Sequence, residues 1–280
     1  MLFRSIVYVI DGIRRTSADF NGLDPNEIES VSILKDASAV AVYGLDANGV
    51  FIVTTKQGKA EKMSITYTGS VGFSQNAEQQ EWLDGPGYAY WYNKARELQG
   101  DSQVFTAEMV QKMKDGVDGW GNTNWYDKVY GTGTRTHHNI SATGGSDRVR
   151  FFASIGYLNE DGILINTGFQ RYNARVNVNS NVTDWFKANV NASLSNSVQD
   201  YSDYDGSSTS NVWYSAQFVS PLFPVYMKGL DGKNVLGEDG KPQLDYGENG
   251  RPGSYTDYNP VGGLTDDKSN KKNDVARDRK

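Results

Sequence analysis

Apolar and polar residues alternate almost without error through five stretches of this chain, and the polar partners are mostly uncharged Asn, Ser and Thr. The clearest stretch reads Tyr172-Asn173-Ala174-Arg175-Val176-Asn177-Val178-Asn179. Phe186, Ala188, Val190, Ala192 and Leu194 repeat it, as do Val149, Phe151, Ala153, Ile155 and Tyr157. Ile65, Tyr67, Val71 and Phe73 form another example, and Ile140 with Ala142 a shorter one. A period of two gives a strand one apolar and one polar face. Strands of about 9–11 residues with that pattern can cross a bilayer when tilted. The pattern therefore points to the wall of a membrane barrel and away from an enzyme core. A soluble β-rich module that binds carbohydrate through its loops is the competing reading. Such a module normally carries Lys and Glu on its outer face, whereas Asn, Ser and Thr suit a polar lumen.

Composition narrows the choice. The chain has 280 residues, 38% of them hydrophobic, enough for one or two ordinary domains. No run of about 18 apolar residues occurs, which excludes a membrane-spanning helix but not a barrel. A net charge of −6 and a pI near 5.0 argue against nucleic acid as a partner. Cysteine is absent, so neither disulfides nor thiolate metal sites can form. No secretory signal precedes the strand-like run Ile6 to Ile10, so the chain is expected to be either cytosolic or a piece of a longer protein.

Two regions differ in grammar. Residues 1–60 read as a small α/β unit. Val7 to Ile10 is a buried strand stopped by Asp11-Gly12. Asp24-Pro25-Asn26-Glu27 reads as a helix start, with Asp24 as cap and Glu27 at the capping-box position. Val31 to Leu34 is a second strand. Asp36 caps a helix over Ala37 to Tyr43, closed by Gly44. Asn48-Gly49 turns the chain into a third strand, Val50 to Thr55. Residues 61–280 carry the period-two strands, and their connectors alternate in length. Gly144 to Asp147 and Asn181 to Asp184 are tight, whereas Gln75 to Thr134 and the segment from Gln199 onward are long. That alternation is the habit of outer-membrane barrels, whose short turns are periplasmic. Helices are expected over Gly87 to Leu98 and Thr106 to Lys114, the latter closed by Gly116. Asp231-Gly232, Asp239-Gly240 and Asn249-Gly250 are hairpin-type pairs. The tail from Asp266 to Lys280 is densely charged, and no solenoid repeat is evident.

Chemistry is sparse. His137 and His138 are the only histidines. Adjacent on a strand, they face opposite ways and cannot share a metal. They read as wall residues near a rim. No nucleophile elbow, P-loop or dinucleotide fingerprint is present. No catalytic residue, metal site or cofactor is expected, and the chain does not read as an enzyme. Aromatic residues concentrate in the long connectors. Trp91, Trp120, Trp213 and Tyr214 are candidate contacts for a ligand or partner, since flat rings with a polar handle suit sugars and peptides. Packing of the loops against one another is the competing reading of the same rings. Tyr67, Phe73, Tyr157, Tyr172, Trp185 and Phe186 sit where an interfacial girdle would place them.

Several motifs occur together in order: Tyr8-Val9-Ile10-Asp11-Gly12, Asp24-Pro25 through Glu29, Leu34-Lys35-Asp36, Tyr43-Gly44 and Asn48-Gly49. They resemble the plug domain of SusC/RagA-type TonB-dependent receptors. Trp125-Tyr126, Gly144-Gly145-Ser146, Glu160-Asp161-Gly162 and Gly168 to Tyr172 look like that family's first barrel strands. The resemblance implies a mainly β fold: a small α/β plug remnant followed by antiparallel strands of an incomplete transmembrane β-barrel with long helix-containing loops. It marks Asp11, Gly12, Pro25, Glu29, Lys35, Asp36, Tyr43, Gly44, Asn48 and Gly49 as plug-motif residues. It further implies a transporter of glycans or oligopeptides in the Gram-negative outer membrane. The implied partners are a SusD-like surface lipoprotein, outer-membrane lipid, and the TonB complex through a TonB box that would lie before Met1.

Overall fold

The computed structural model describes residues 5–35, 43, 47–77, 81–201, 216–217, 219–247, 259–265 and 270–279. The expected helix over 37–43 falls largely outside them, as do Asp36, Gly44, Trp213, Tyr214 and Asn249-Gly250.

The first sheet has four strands: β1 (Ser5–Ile10), β2 (Ile13–Arg15), β3 (Ile28–Leu34) and β4 (Ala47–Thr55), in the order β2-β1-β4-β3. β1 and β4 run parallel, and the other pairs are antiparallel. Asp11 (φ 49) and Gly12 (φ 80) make the tight β1–β2 turn, which needs positive φ at both positions. A short helix, α1 (Ser17–Asn21), starts on a capping box between Thr16 and Asp19. The core is small: Val7, Val9 and Val50 on one side, Ile10, Leu23 and Val53 on the other.

Two expectations for this region change. Asp24 does cap a start, accepting from the Asn26 amide, but it opens only a single 3-10 turn, Pro25–Glu27. β3 begins at once at Ile28, because pairing with β4 competes for the same backbone groups. Glu27 closes no capping box and points elsewhere. Asn48-Gly49 is not a turn either. Both lie inside β4, with Gly49 paired opposite Ile6.

The second sheet has six antiparallel strands in sequence order: β5 (Ser64–Ser74), β6 (Gly133–Gly145), β7 (Val149–Asp161), β8 (Gly168–Asn181), β9 (Lys187–Tyr201) and β10 (Asn270–Arg279). All five expected strands are present, each longer than its apolar core. β10 is a correction, since it lies in the charged tail that carries no alternation. It pairs with β9 from Asn270↔Tyr201 to Arg279↔Ala192, so backbone pairing rather than side-chain pattern makes it a strand.

The amphipathicity of this sheet is inverted relative to a soluble protein. Its apolar face is bare: Ile65, Tyr67, Val71, Phe73, Ile140, Val149, Tyr172, Val176, Val190 and Leu194 are exposed, and Ile155 is 70% exposed. Its polar face is covered: Asn139, Ser154, Arg171, Asn173 and Arg175 are buried, and Asn177 is 0% exposed. Water disfavours a broad apolar surface of this kind, and lipid does not. The soluble-module reading required the opposite burial. Cross-strand register lines the apolar residues into belts, as in Tyr67↔Ile140↔Ile155↔Ala174↔Leu194. Among the described residues no helix is long and apolar enough to cross a membrane.

The long connectors gather at one end of the wall. They hold α2 (Gly85–Leu98), α3 (Ala107–Asp115), α4 (Trp125–Val129) and α5 (Pro260–Thr265). Thr106 caps α3 and Gly116 ends it in the left-handed conformation, as the sequence predicts. A unit of eight residues occurs twice in the last connector, Gly229 to Leu236 and Gly237 to Leu244. Each copy folds as a small hairpin with positive φ at Gly232 or Gly240.

Placing Arg at Ile155, mid-strand on the bare face, should cost about 2–4 kcal/mol of barrel stability in a bilayer. Urea titration of a vesicle-inserted receptor carrying this segment measures it. An Ile155→Arg variant as stable as the parent would mean that the face does not meet lipid.

Candidate functional site

The polar face of the wall is built around the small sheet. Arg175 on β8 donates from Nε to Glu27 Oε2 at 2.8 Å, and Ser154 Oγ on β7 donates to Glu27 Oε1 at 3.0 Å. Both ion-pair partners are buried, with Glu27 1% exposed. One turn earlier, Asp24 Oδ2 meets His137 Nε2 of β6 at 2.8 Å. Gly156 of β7 makes room there, since a Cβ would overlap the Asp24 carboxylate. Arg171 Nη1 donates to the Asn21 carbonyl at 2.7 Å, and Asn173 Nδ2 donates to that of Gly22. These two cover the carbonyls at the end of α1. Further along β8, Asn177 Nδ2 donates to the Lys56 carbonyl (2.7 Å) and Thr55 Oγ1 (3.1 Å). Asn179 reaches Gln57 at 3.0 Å.

Strand geometry explains why one strand does so much. Residues two apart share a face, so Arg171, Asn173, Arg175, Asn177 and Asn179 present a single polar row to the small sheet. Thr55 links that row to the Asp11-Gly12 turn, because Asp11 accepts from both its amide (2.8 Å) and its hydroxyl (2.7 Å).

Electrostatics set the charge states. Burial alone would push the Asp24 carboxyl up. Hydrogen bonds from His137 and the Asn26 amide, with the charge of His137, outweigh burial and hold the carboxyl below its ordinary value.

The plug-motif residues divide by position. Asp11, Gly12 and Pro25 shape the turns that face the wall. Tyr43 packs beside Val7 and Val50, and Gly49 is buried in β4. Glu29 and Lys35 are exposed, on β3 and just after it. Asn48 lies in β4. The residues missing from the sequence reading are Asp24, Glu27, His137, Arg171 and Arg175 as partners. His137 and His138 do face opposite ways. His138 stacks on Tyr67 outside, but His137 is a plug-side contact rather than a bland wall residue. Arg171 and Arg175 were the available signal: two cations four apart on an otherwise uncharged strand face.

The second constellation is the loop assembly. Phe105, Met113, Trp120, Trp125, Val129, Leu222, Phe223, Val261 and Leu264 form one core from the first and last connectors, joined by Ile163 to Ile165. Trp125 Nε1 donates to the Ser220 carbonyl at 2.9 Å, and Gly121 N to that of Leu222 at 2.8 Å. Burial pushes the Tyr130 phenol up to about 12, so this core carries no charge there. Trp120 is 5% exposed and packs edge-on against Phe105. That burial supports the loop-packing alternative for Trp120. Trp91 is 57% exposed on α2, whereas Tyr88 and Tyr92 of the same helix pack against the loop core.

Comparison with known proteins agrees with this geometry. Residues 3–50 match the family model described as the TonB-dependent Receptor Plug Domain. TonB-dependent receptor SusC of Bacteroides thetaiotaomicron is 34% identical over 219 residues, covering 77% of this chain and 20% of SusC. TonB-dependent receptor P3 of Formosa agariphila is 30% identical over 223 residues, covering 77% of this chain and 20% of P3. The solved structure of the RagAB peptide importer in its closed-closed state superposes with a TM-score of 0.63 at 26% identity, covering 85% of this chain and 30% of that one. The chain spans about a fifth of the length of the curated relatives it matches. A plug-type sheet fastened to the polar face of an open, membrane-type β-wall defines the class of TonB-dependent receptors. Within that class the chain belongs to the SusC/RagA family.

Replacing Arg175 with Met should cost about 3–5 kcal/mol, because Glu27 would stay buried without its cation. Amide hydrogen exchange over β3 and β4 in a receptor carrying this segment would report faster opening. A Glu27→Gln/Arg175→Met double variant should recover most of the loss. Equal protection in parent and single variant would mean that the pair does not hold the small sheet.

Acid should act through Asp24. A carboxyl depressed in the folded state contributes stability that is complete above its ordinary value of 3.8 and is lost as pH falls through the depressed one. The melting-temperature gap between parent and Asp24→Asn should therefore be widest near neutral pH and close on acidification. A gap independent of pH would remove Asp24 from the account.

Proposed function

We propose that this chain works as the plug and first wall strands of a TonB-dependent outer-membrane transporter that imports glycans or oligopeptides. Residues 1–60 supply the plug part and residues 61–280 the barrel part. The observation that carries the reading is the inverted amphipathicity of the six-stranded wall, whose polar face is occupied by the small sheet. A lumen blocked by a hydrogen-bonded plug is closed at rest and needs an external source of work to open. That suits coupling to a TonB complex at the inner membrane.

The loop assembly suits a second partner. It gathers at the end opposite the tight turns, the extracellular end by the habit of such barrels. The proposed partner is a SusD-like surface lipoprotein seated over these loops; Trp91, exposed on α2, is a proposed contact for it or for the cargo, as are Trp213 and Tyr214, which lie outside the described residues. Similarity to the RagAB peptide importer supports oligopeptides as one cargo class; glycans are the other class that the SusC/RagA resemblance implies.

Sidedness tests the reading. In the complete receptor on intact cells, cysteines at Ser146 or Thr183 should resist an impermeant maleimide, and one at Gly232 should react. The reverse pattern would place the loop assembly in the periplasm and end the docking proposal. Labelling of all three would mean that the wall does not span a membrane.

A further inference from the structure

A cleft of about 450 Å³ opens in the loop assembly between the start of α2 and the 216–221 segment, within the usual range for small-molecule sites of roughly 300–1,000 Å³. Its lining combines aromatic rings with amide and hydroxyl side chains. Trp82, Tyr88, Trp125 and Tyr126 supply rings, and Asp84, Asn122 and Gln217 supply polar groups. The residues are held in place by bonds that leave part of each free. Asp84 Oδ1 caps α2 by accepting from the Gly87 amide at 2.8 Å, and Asn122 Oδ1 accepts from the Gly85 amide at 2.7 Å. Among the described residues, no partner occupies Asp84 Oδ2, Asn122 Nδ2 or the Gln217 carboxamide. Trp82 is 45% exposed although it is not needed to seal the core, which closes on Trp120 and Trp125 instead.

We infer that this cleft is a subsite for a neutral sugar ring of a carbohydrate chain, with Trp82 as the stacking platform. The inference rests on the proposed transporter function and assigns that transporter a glycan-binding position on its loops. Three features select the ligand. A flat, half-open indole next to unspent donors and acceptors matches a pyranose, which has an apolar C–H face and a rim of hydroxyls. Among the described residues, Asp84 is the only charged one in the lining, and no cation accompanies it. An acidic sugar or the carboxylate of a peptide terminus would therefore meet repulsion with nothing to offset it. Nor does the described lining offer an unpaired strand edge for a peptide backbone to extend.

Isothermal titration of the complete receptor in detergent tests this with neutral hexasaccharides (gluco-, manno- and xylo-configured), hexagalacturonate and a neutral hexapeptide. At least one neutral hexasaccharide should bind, and hexagalacturonate should bind more weakly than it. Trp82→Ala should weaken the neutral sugar about five- to tenfold. Asn122→Asp keeps the acceptor that holds Gly85 but removes the free donor, and should weaken it about threefold at unchanged melting temperature. Equal affinity in parent and both variants, or binding of the hexapeptide alone, would overturn the subsite while leaving the transporter reading intact. A Trp82→Cys receptor that an impermeant label cannot reach on intact cells would also overturn it, because another loop would then cover the cleft. A receptor that binds none of the probes and imports no nutrient would sink the transporter reading itself.

Discussion

Glu27 and Arg175 form an ion pair that neither solvent nor lipid can reach, and the arrangement of the two sheets depends on it. Removing two charges from water is costly, and their attraction only repays that cost when geometry is good and the remaining lone pairs are satisfied. Here the second carboxylate oxygen is satisfied by Ser154 from the neighbouring strand. The pair therefore fixes position more than it adds stability. A shift of the small sheet by two residues along β8 would leave Glu27 facing Asn173 or Asn177 and strand Arg175 in a place with no water. The neighbouring contacts obey the same logic. Asp24 must find His137 with Gly156 beneath it, and the carbonyls of Asn21 and Gly22 must find Arg171 and Asn173.

An interface of this kind is also one that can be released. The two apolar clusters of the small sheet are internal to it, and neither extends onto the wall. Among the described residues the hydrogen bonds that join sheet to wall come from polar groups, each able to exchange its partner for water, with Phe152 and Leu158 buried on the same face of β7. A hydrophobic interface opened by force loses its contribution in proportion to the area exposed. A hydrated polar one gives up only the small net worth of each hydrogen bond, about 0.5–1.5 kcal/mol. While dry it resists strongly, because breaking one partner leaves the other buried. Once water enters, the same contacts let go. A gate that must stay shut at rest and yield to a pull along the chain benefits from both properties.

The strands were legible because a barrel wall writes its two faces directly into a two-residue period, as Tyr172 to Asn179 does. The α3 caps and the Asp11-Gly12 turn were legible for the same kind of local reason: Thr106, Gly116 and Gly12 each meet a backbone demand that neighbouring residues already define. What could not be read was anything decided across sequence distance. Glu27 has the right spacing for a capping box, and only β7 and β8 reveal why a carboxylate is needed there. β10 is a strand because β9 offers it an edge. Trp91 and Trp120 look alike in sequence, yet one is exposed on α2 and the other is sealed into the loop core.

The edges of the wall carry a physical demand of their own. Among the described residues β5 and β10 each pair on one side only, so a row of N–H and C=O groups is open at either edge of the six-stranded sheet. In water such edges recruit other strands, and in hydrocarbon each unsatisfied group costs several kcal/mol. Even edge strands without a strong apolar pattern are then held in register by the demand for partners, as β10 is by β9. Closure by further strands satisfies both edges at once, and it turns the covered polar face from one side of a sheet into the lining of a lumen. Under the proposed function the small sheet obstructs the lumen only in that closed form, and the contacts of Glu27 and Asp24 are what hold it there.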